Sequence, residues 1–375
     1  MAPVIRERYV QAHVREDLED CMVFVGGARQ VGKTIFALGF LDEPSARHLG
    51  YMTWDDTRTR QRLLAGELPP GQPVVILDEI HKHARWRNLV KGFWDTSGGE
   101  RKIIVTGSAR LDLYSRGGDS LQGRYHYYRL HPFTIPEAGG EVDTLMAVGG
   151  FPEPFLRGEE RFSRRWRRER RQRVLYDDVR DLEDVKEISL LELLLSELPS
   201  RVGSPLSIAS IRDALEVSHR SVERWIGIFE RLYHCFRVPP FGARAIRAVK
   251  KAQKLYLWDW AGVADRGARF ENMVACHLLK YCHFVEDTEG HDMDLRYIRD
   301  TDGREVDFVV LRDGEPLFAL ECKSGQSGVS PHIHYFRERT GIPRFYQVHL
   351  GRRDYEKQGV RVLPFATFCD VAGLV

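Results

Sequence analysis

Between Met22 and Leu38 the chain reads MVFVGGARQVGKTIFAL, an apolar run that enters a glycine-bearing loop and leaves as a helix. Gly27, Gly32, Lys33 and Thr34 satisfy the pattern G-x-x-x-x-G-K-[ST], and the strand and helix on either side are the context in which that pattern folds as a phosphate-binding loop. The loop, residues Gly27, Ala28, Arg29, Gln30, Val31, Gly32, Lys33, Thr34 and Ile35, is expected to turn its backbone N–H groups onto an anion at the positive end of a helix. Lys33 is placed to reach the β- and γ-phosphates of a nucleotide, and the Thr34 hydroxyl to ligate Mg²⁺.

A second anchor follows. Val74-Val75-Ile76-Leu77 precedes Asp78-Glu79. Four consecutive apolar residues suit a strand buried on both faces of a parallel sheet, which delivers polar side chains at its C-terminal end. Asp78 is then a Mg²⁺ ligand and Glu79 the group that orients or deprotonates an attacking water. The run Lys102 to Val105 ends in Thr106-Gly107-Ser108, placing Ser108 to contact the γ-phosphate or the water, or else to cap the next helix. Arg124, after Ser120-Leu121-Gln122-Gly123, is either an arginine finger or a surface charge. A helix is expected within residues 1–20. A strand is expected over Tyr51 to Asp56, a helix over Thr57 to Ala65 and a break at Pro69-Pro70-Gly71.

Length and charge set the wider frame. At 375 residues the chain exceeds one typical domain, and a net charge of +2 makes local clusters, not the total, the guide to partners. Between Arg157 and Arg173 nine arginines face three glutamates around Phe162 and Trp166. They form either a salt-bridged helix paired with the acidic run Asp177 to Glu187, or a phosphate contact. Ser207 to Leu232 carries two apolar stripes around a turn at Val217-Ser218, a helix-turn-helix whose second helix turns His219, Arg220, Ser221, Glu223 and Arg224 outward. Arg237 to Lys254 then holds Arg237, Arg244, Arg247, Lys250, Lys251 and Lys254 without an acid, as expected of a wing lying along phosphates, although such modules also bind proteins. The six cysteines form no C-x-x-C pair and read as free thiols. No apolar run reaches membrane-spanning length, so a cytoplasmic protein with no membrane partner is expected.

The last third reads as hairpins. Arg296 to Ile298, Glu305 to Val310 and Leu317 to Lys323 are separated by Asp302-Gly303 and Asp313-Gly314. With a three-residue loop from Asp313 to Glu315, Asp307 falls opposite Glu321, and alternation puts Lys323 on the same face. Two carboxylates and a lysine suit a divalent-metal site, with Glu271 of an upstream helix as a further acid.

GARQVGKT, ILDEIHK, TGS, SLQGR, GGFPE, the helix-turn-helix, FEN, REVDFVV and ALECKSG together resemble a prokaryotic family of AAA+-type P-loop ATPases whose C-terminal domain is of unknown function and looks like the PD-(D/E)XK nuclease fold. The resemblance spans nearly the whole chain. It implies an α/β AAA+-type core at 1–140, a helical arginine-rich linker or lid at 141–200, a winged helix-turn-helix at 201–262 and an α/β restriction-endonuclease-like domain at 263–375. ATP and Mg²⁺ are implied as cofactors, with Mn²⁺ an option at the nuclease-like site. Asp307, Glu321 and Glu271 are implied as that site's metal ligands, and Asp307, Glu321 and Lys323 as its catalytic groups. No sensor-2 arginine helix accompanies these motifs. The function expected is an ATP-hydrolysing motor or remodeller on double-stranded, branched repair or recombination DNA, such as a Holliday junction, assembled as a homo-oligomer or hexameric ring. The alternative is a nucleotide-dependent switch in signalling or defence.

Overall fold

The computed structural model describes residues 6–98, 100–107, 121, 123–179, 187–242, 252–325 and 328–375. The chain divides into two compact units. One comprises residues 1–131 with Arg231–Tyr233, and the other 132–230 with 234–375.

The first unit is built on five strands, β1 (Met22–Gly27), β2 (Tyr51–Thr53), β3 (Val74–Asp78), β4 (Lys102–Thr106) and β5 (Tyr125–Leu130). They form one sheet in the order β2-β3-β4-β1-β5, every pair parallel. All six residues of β1 are buried, as an uninterrupted apolar strand at the centre of a parallel sheet must be. Met22, Phe24, Leu77, Ile103 and Val105 line one core face against Trp86, Val90 and Phe93 of the helix Trp86–Ser97. The expected early helices are present as Gln11–Asp17 and Thr57–Leu64, the latter capped by Asp56, which accepts from the Thr59 N–H at 2.7 Å. The second strand is shorter than expected, ending at Thr53, whose pairing with Asp78 is completed by the Trp54 N–H on the Asp78 carbonyl at 2.9 Å.

In the second unit the arginine-rich helix runs Glu160–Arg173 and buries Trp166 and Arg170, the latter with its guanidinium 4.2 Å from the Phe151 ring. Helices Ile208–Leu215 and His219–Arg231 follow at the expected positions. Val222, Trp225, Ile226 and Phe229 are buried, whereas His219, Arg220 and Arg224 are exposed. Strands β6 (Cys235–Val238) and β7 (Lys254–Leu257) then pair antiparallel. Arg244, Arg247, Lys250 and Lys251 lie outside the described residues, as do 180–186 of the acidic run.

The long helix Arg266–Glu289 packs on a mixed sheet of β8 (Met293–Arg299), β9 (Glu305–Arg312), β10 (Glu315–Lys323), β11 (Phe345–His349), β12 (Tyr355–Lys357) and β13 (Val360–Pro364), ordered β12-β13-β11-β10-β9-β8. The β9–β10 loop corrects the sequence reading. It is a two-residue turn, Asp313-Gly314, with both residues left-handed (φ 53° and 82°), the backbone that favours a tight hairpin. A register shift between Pro316 and Phe318 then adds the missing residue, so that Leu320 pairs Phe308 and Asp307 still falls level with Glu321.

His277 ties the long helix to the segment that opens this unit. Its Nδ1–H donates to the Met273 carbonyl at 2.8 Å, and its Nε2 accepts from the Ile135 N–H at 2.9 Å, which fixes one neutral tautomer. Burial holds its pKa down at about 3. The folded-state pKa is depressed, so the stability contribution is present above the unfolded value of about 6.5 and is lost as pH falls from there toward 3. The urea midpoint is therefore expected to fall over that window and to fall less in His277→Gln. Equal acid sensitivity in both proteins would contradict this account.

Candidate functional site

The phosphate loop forms as its sequence demands. Gly27 is at φ 148°, and a Cβ there would stand 2.4 Å from the Leu130 carbonyl oxygen. Ala28 and Val31 are fully buried under the loop, Arg29 and Gln30 are half-buried, Gly32 caps the helix Lys33–Leu38, and Ile35 is exposed on it. The Lys33 ammonium folds back onto the carbonyls of Gly27 (3.0 Å) and Ala28 (2.8 Å), so the charge that would meet phosphate is held inside the loop.

Asp78 is the hub of this site. It accepts from the Thr34 hydroxyl at 3.0 Å, from the Tyr51 hydroxyl at 2.6 Å and, in a short contact, from the Thr106 hydroxyl. The strand order β2-β3-β4 produces this: Thr106 is in register with Asp78 at the end of β4, and Tyr51, which opens β2 opposite Ile76, reaches Asp78 with its long side chain. Burial and the Asp78 charge together push the Tyr51 hydroxyl pKa up, keeping it a donor. The donor set around Asp78 is made of hard oxygens. It fits Mg²⁺, which takes few protein ligands and keeps several waters.

Glu79 follows in a left-handed backbone (φ 58°, ψ 19°), its N–H donating to the Thr106 carbonyl at 3.0 Å. A non-glycine residue held there is strained, and such positions concentrate at functional sites. Its carboxylate lies 3.7 Å from Lys82 Nζ, which is itself 2.7 Å from Asp55. Burial raises the Glu79 pKa, with Lys33 acting in the opposite direction. Arg124 is half-buried and pairs with Asp95 at 3.3 Å. Ser108 lies outside the described residues.

In the second unit Glu271, Asp307, Glu321 and Lys323 converge as the sequence suggests, with one addition. Lys254 of β7, expected to lie along phosphates, is instead fully buried, its Nζ 2.6 Å from Glu305, 3.1 Å from Glu271 and 3.4 Å from Asp307. The expectation fails because Lys254 and Tyr256 alternate onto one face of an apolar strand, and that face looks at carboxylates rather than solvent. Tyr256 donates to Glu271 at 2.7 Å, the Cys322 N–H donates to Asp307 at 2.8 Å, and Lys323 pairs with Glu321 at 2.6 Å. Burial, then repulsion from Asp307, raises Glu271 to about 7 and Glu321 to about 8. Among the described residues no three His, Cys, Asp or Glu side chains are disposed to hold a metal ion. Two of the three implied metal ligands, Glu271 and Asp307, already share the buried Lys254 ammonium with Glu305.

Arg237, the first cation of the expected wing, is likewise engaged, donating to Glu230 (2.8 Å) and Glu223 (3.0 Å). Glu223 thus turns toward the hairpin and not outward. Arg164, Arg167, Arg168 and Arg171 line a cavity of about 330 Å³ with His234 and Asp259. Sequence reasoning missed Tyr51, Thr106, Glu305, Tyr256 and the place of Lys254. The available signals were strand tips adjacent to a known anchor, and polar residues at i, i+2 within apolar strands.

Three family models match consecutive parts of the chain: an AAA domain over residues 19–139, a domain of unknown function (DUF8612) over 140–264 and a second one (DUF4143) over 266–368. An uncharacterized protein of Haemophilus influenzae is 20% identical over 326 residues, covering 76% of this chain and 81% of that protein. An uncharacterized protein of Mycobacterium tuberculosis is 23% identical over 278 residues, 72% of this chain and 63% of that one. A third, from Methanocaldococcus jannaschii, is 22% identical over 56% of this chain and 54% of its own length, so the chain spans less than two-thirds of these last two relatives. A solved structure of a signal transduction ATPase with numerous domains and a tetratricopeptide repeat sensor, from Pyrococcus horikoshii, aligns at 12% identity and a TM-score of 0.25, over 76% of this chain and 48% of that one. No described helix is long and apolar enough to cross a membrane. The match over residues 19–139 and the parallel sheet that carries the phosphate loop make the first third of the chain an AAA-type α/β ATPase core.

Proposed function

We infer that the chain is an Mg²⁺-dependent ATPase that acts on DNA, with branched repair or recombination intermediates as its substrate class. The observation that carries the ATPase part is the meeting of Thr34, Asp78 and Glu79 at one strand end beside Lys33. In this reading Lys33 leaves the loop carbonyls for the β- and γ-phosphates, and the loop N–H groups hold the phosphate oxygens. Glu79 takes a proton from the water that attacks the γ-phosphorus. Thr34 and Asp78 would hold Mg²⁺, which when bound supplies positive charge at the phosphate oxygens. In this reading oligomerisation brings an arginine of a neighbouring copy to the site, and Arg124, held here only by a part-exposed pair with Asp95, is its candidate.

Support for DNA comes from the exposed His219, Arg220 and Arg224 on the second helix of the helix-turn-helix. Lys254 drops out of the phosphate-contacting set. Replacing Lys250 and Lys251 together is thus expected to reduce the slope of log affinity against log salt by about 2. An unchanged slope would remove the wing from the interface.

The alternative, a nucleotide-dependent switch whose helix-turn-helix holds a protein, is favoured by one observation: Arg237 and Lys254 are both neutralised internally. Turnover measured with and without duplex, forked and four-way DNA separates the two. Several-fold stimulation by DNA supports the first reading, and DNA-independent turnover supports the switch.

A further inference from the structure

The carboxylates of the second unit have the composition of a divalent-metal site and the wiring of something else. Lys254 reaches them from β7, Glu271 from the helix Arg266–Glu289, and Glu305 and Asp307 from β9. The ammonium is sealed from solvent, and its remaining side is covered by the Tyr297 ring, whose centroid is 5.4 Å away. Three oxygens from three different carboxylates approach it within 3.4 Å. Those are the oxygens through which Glu271 and Asp307 would bind a cation. The other oxygen of Asp307 is committed to the Cys322 N–H, and Tyr256 adds its hydroxyl to Glu271. A buried charge is retained only where partners offset its desolvation, and Lys254 has them on several sides.

We propose that Lys254 is the resident cation of this cluster, so that the Lys254 ammonium and a divalent metal ion are mutually exclusive occupants of one seat. The wild-type domain holds its carboxylates together without metal. Three consequences follow from that arrangement. Wild-type chain neither needs nor gains from divalent ions at this cluster. Removing the ammonium while keeping the aliphatic stem takes the shared cation from Glu271, Glu305 and Asp307 and leaves their seat open to a metal. Hydrolysis of ATP, at a separate site, is unaffected by either occupant.

The test is the thermal midpoint of the full chain, stripped of metal and free of nucleotide, titrated with Mn²⁺. Wild type should shift by less than 1 °C from this cluster, whereas Lys254→Met should rise by about 5 °C at a hundredfold excess over its dissociation constant. The rise should vanish in Lys254→Met/Asp307→Asn, which separates this seat from any other Mn²⁺ site. Should Lys254→Met fail to fold without metal, Lys254→Met/Glu305→Gln carries one negative charge fewer and keeps Glu271, Asp307 and Glu321. That double variant should fold and show the same Mn²⁺ response. Recovery of folded Lys254→Met on adding Mn²⁺ also supports the proposal. An Asp307-dependent rise of equal size in wild type overturns it, as does the absence of any response in both Lys254→Met and Lys254→Met/Glu305→Gln.

Discussion

Glu79→Gln is expected to lower the ATP turnover number by a factor of about 10²–10⁴ while leaving nucleotide affinity within a few-fold of wild type. The backbone at Glu79 is fixed from both sides, by its left-handed conformation and by its N–H bond to Thr106 at 3.0 Å. The amide isostere therefore keeps the shape and place of the side chain while losing its negative charge and its capacity to accept a proton. That loss is about 3–5 kcal/mol of barrier, all of it in the chemical step. Lys33→Ala should behave differently, weakening binding first, because Lys33 meets phosphate in ground and transition states alike. Turnover retained in Glu79→Gln would remove the residue from catalysis, whatever Lys33→Ala does.

A large loss of stability is expected in Asn272→Leu. The Asn272 side chain is fully buried and treats Leu257 of β7 as a strand neighbour would: its Oδ1 accepts the Leu257 N–H at 2.9 Å and its Nδ2 donates to the Leu257 carbonyl at 2.7 Å. Leucine has similar volume but neither group. The Leu257 N–H would be left without this partner at a cost of about 1–3 kcal/mol, with a smaller loss at the Leu257 carbonyl, which keeps the Cys276 thiol at 3.2 Å. Asn272→Asp should not rescue, since it returns the acceptor but sets a carboxylate oxygen against the Leu257 carbonyl. Urea unfolding with an unchanged slope reads the effect. A loss below about 1 kcal/mol would mean that water replaces the amide.

The parts of the site that were legible in the sequence are those whose partners lie close in the chain. The phosphate loop is a local object, and Asp78-Glu79 announces itself by the apolar strand before it. Tyr51 and Thr106 were not legible as partners of Asp78, because only the strand order β2-β3-β4 flanks the end of β3 with the strands that carry them. Lys254 was misread for a related reason. An acid-free stretch looks basic and exposed, but its carboxylates come from residues 271, 305 and 307. The pairing of Asp307 with Glu321 was anticipated through the wrong loop. A two-residue turn with a later register shift gives the same offset as a three-residue loop without one.

The order of the first sheet has a consequence for how the chain is made. β1, which leads into the phosphate loop, pairs with β4 and β5 alone, Val23 with Ile104 and Met22 with Tyr125. Its hydrogen-bonding partners are therefore synthesised roughly eighty and a hundred residues after it, a delay of about 4–20 s at ordinary ribosomal rates. Through that interval six residues destined for full burial lack their native neighbours. The loop cannot be shaped until the sheet closes around it, and Gly27 packs on the carbonyl of Leu130, the last residue of β5. Nucleotide capture by a nascent chain would consequently report that the first unit has finished folding, and ATP itself would pull that closure forward.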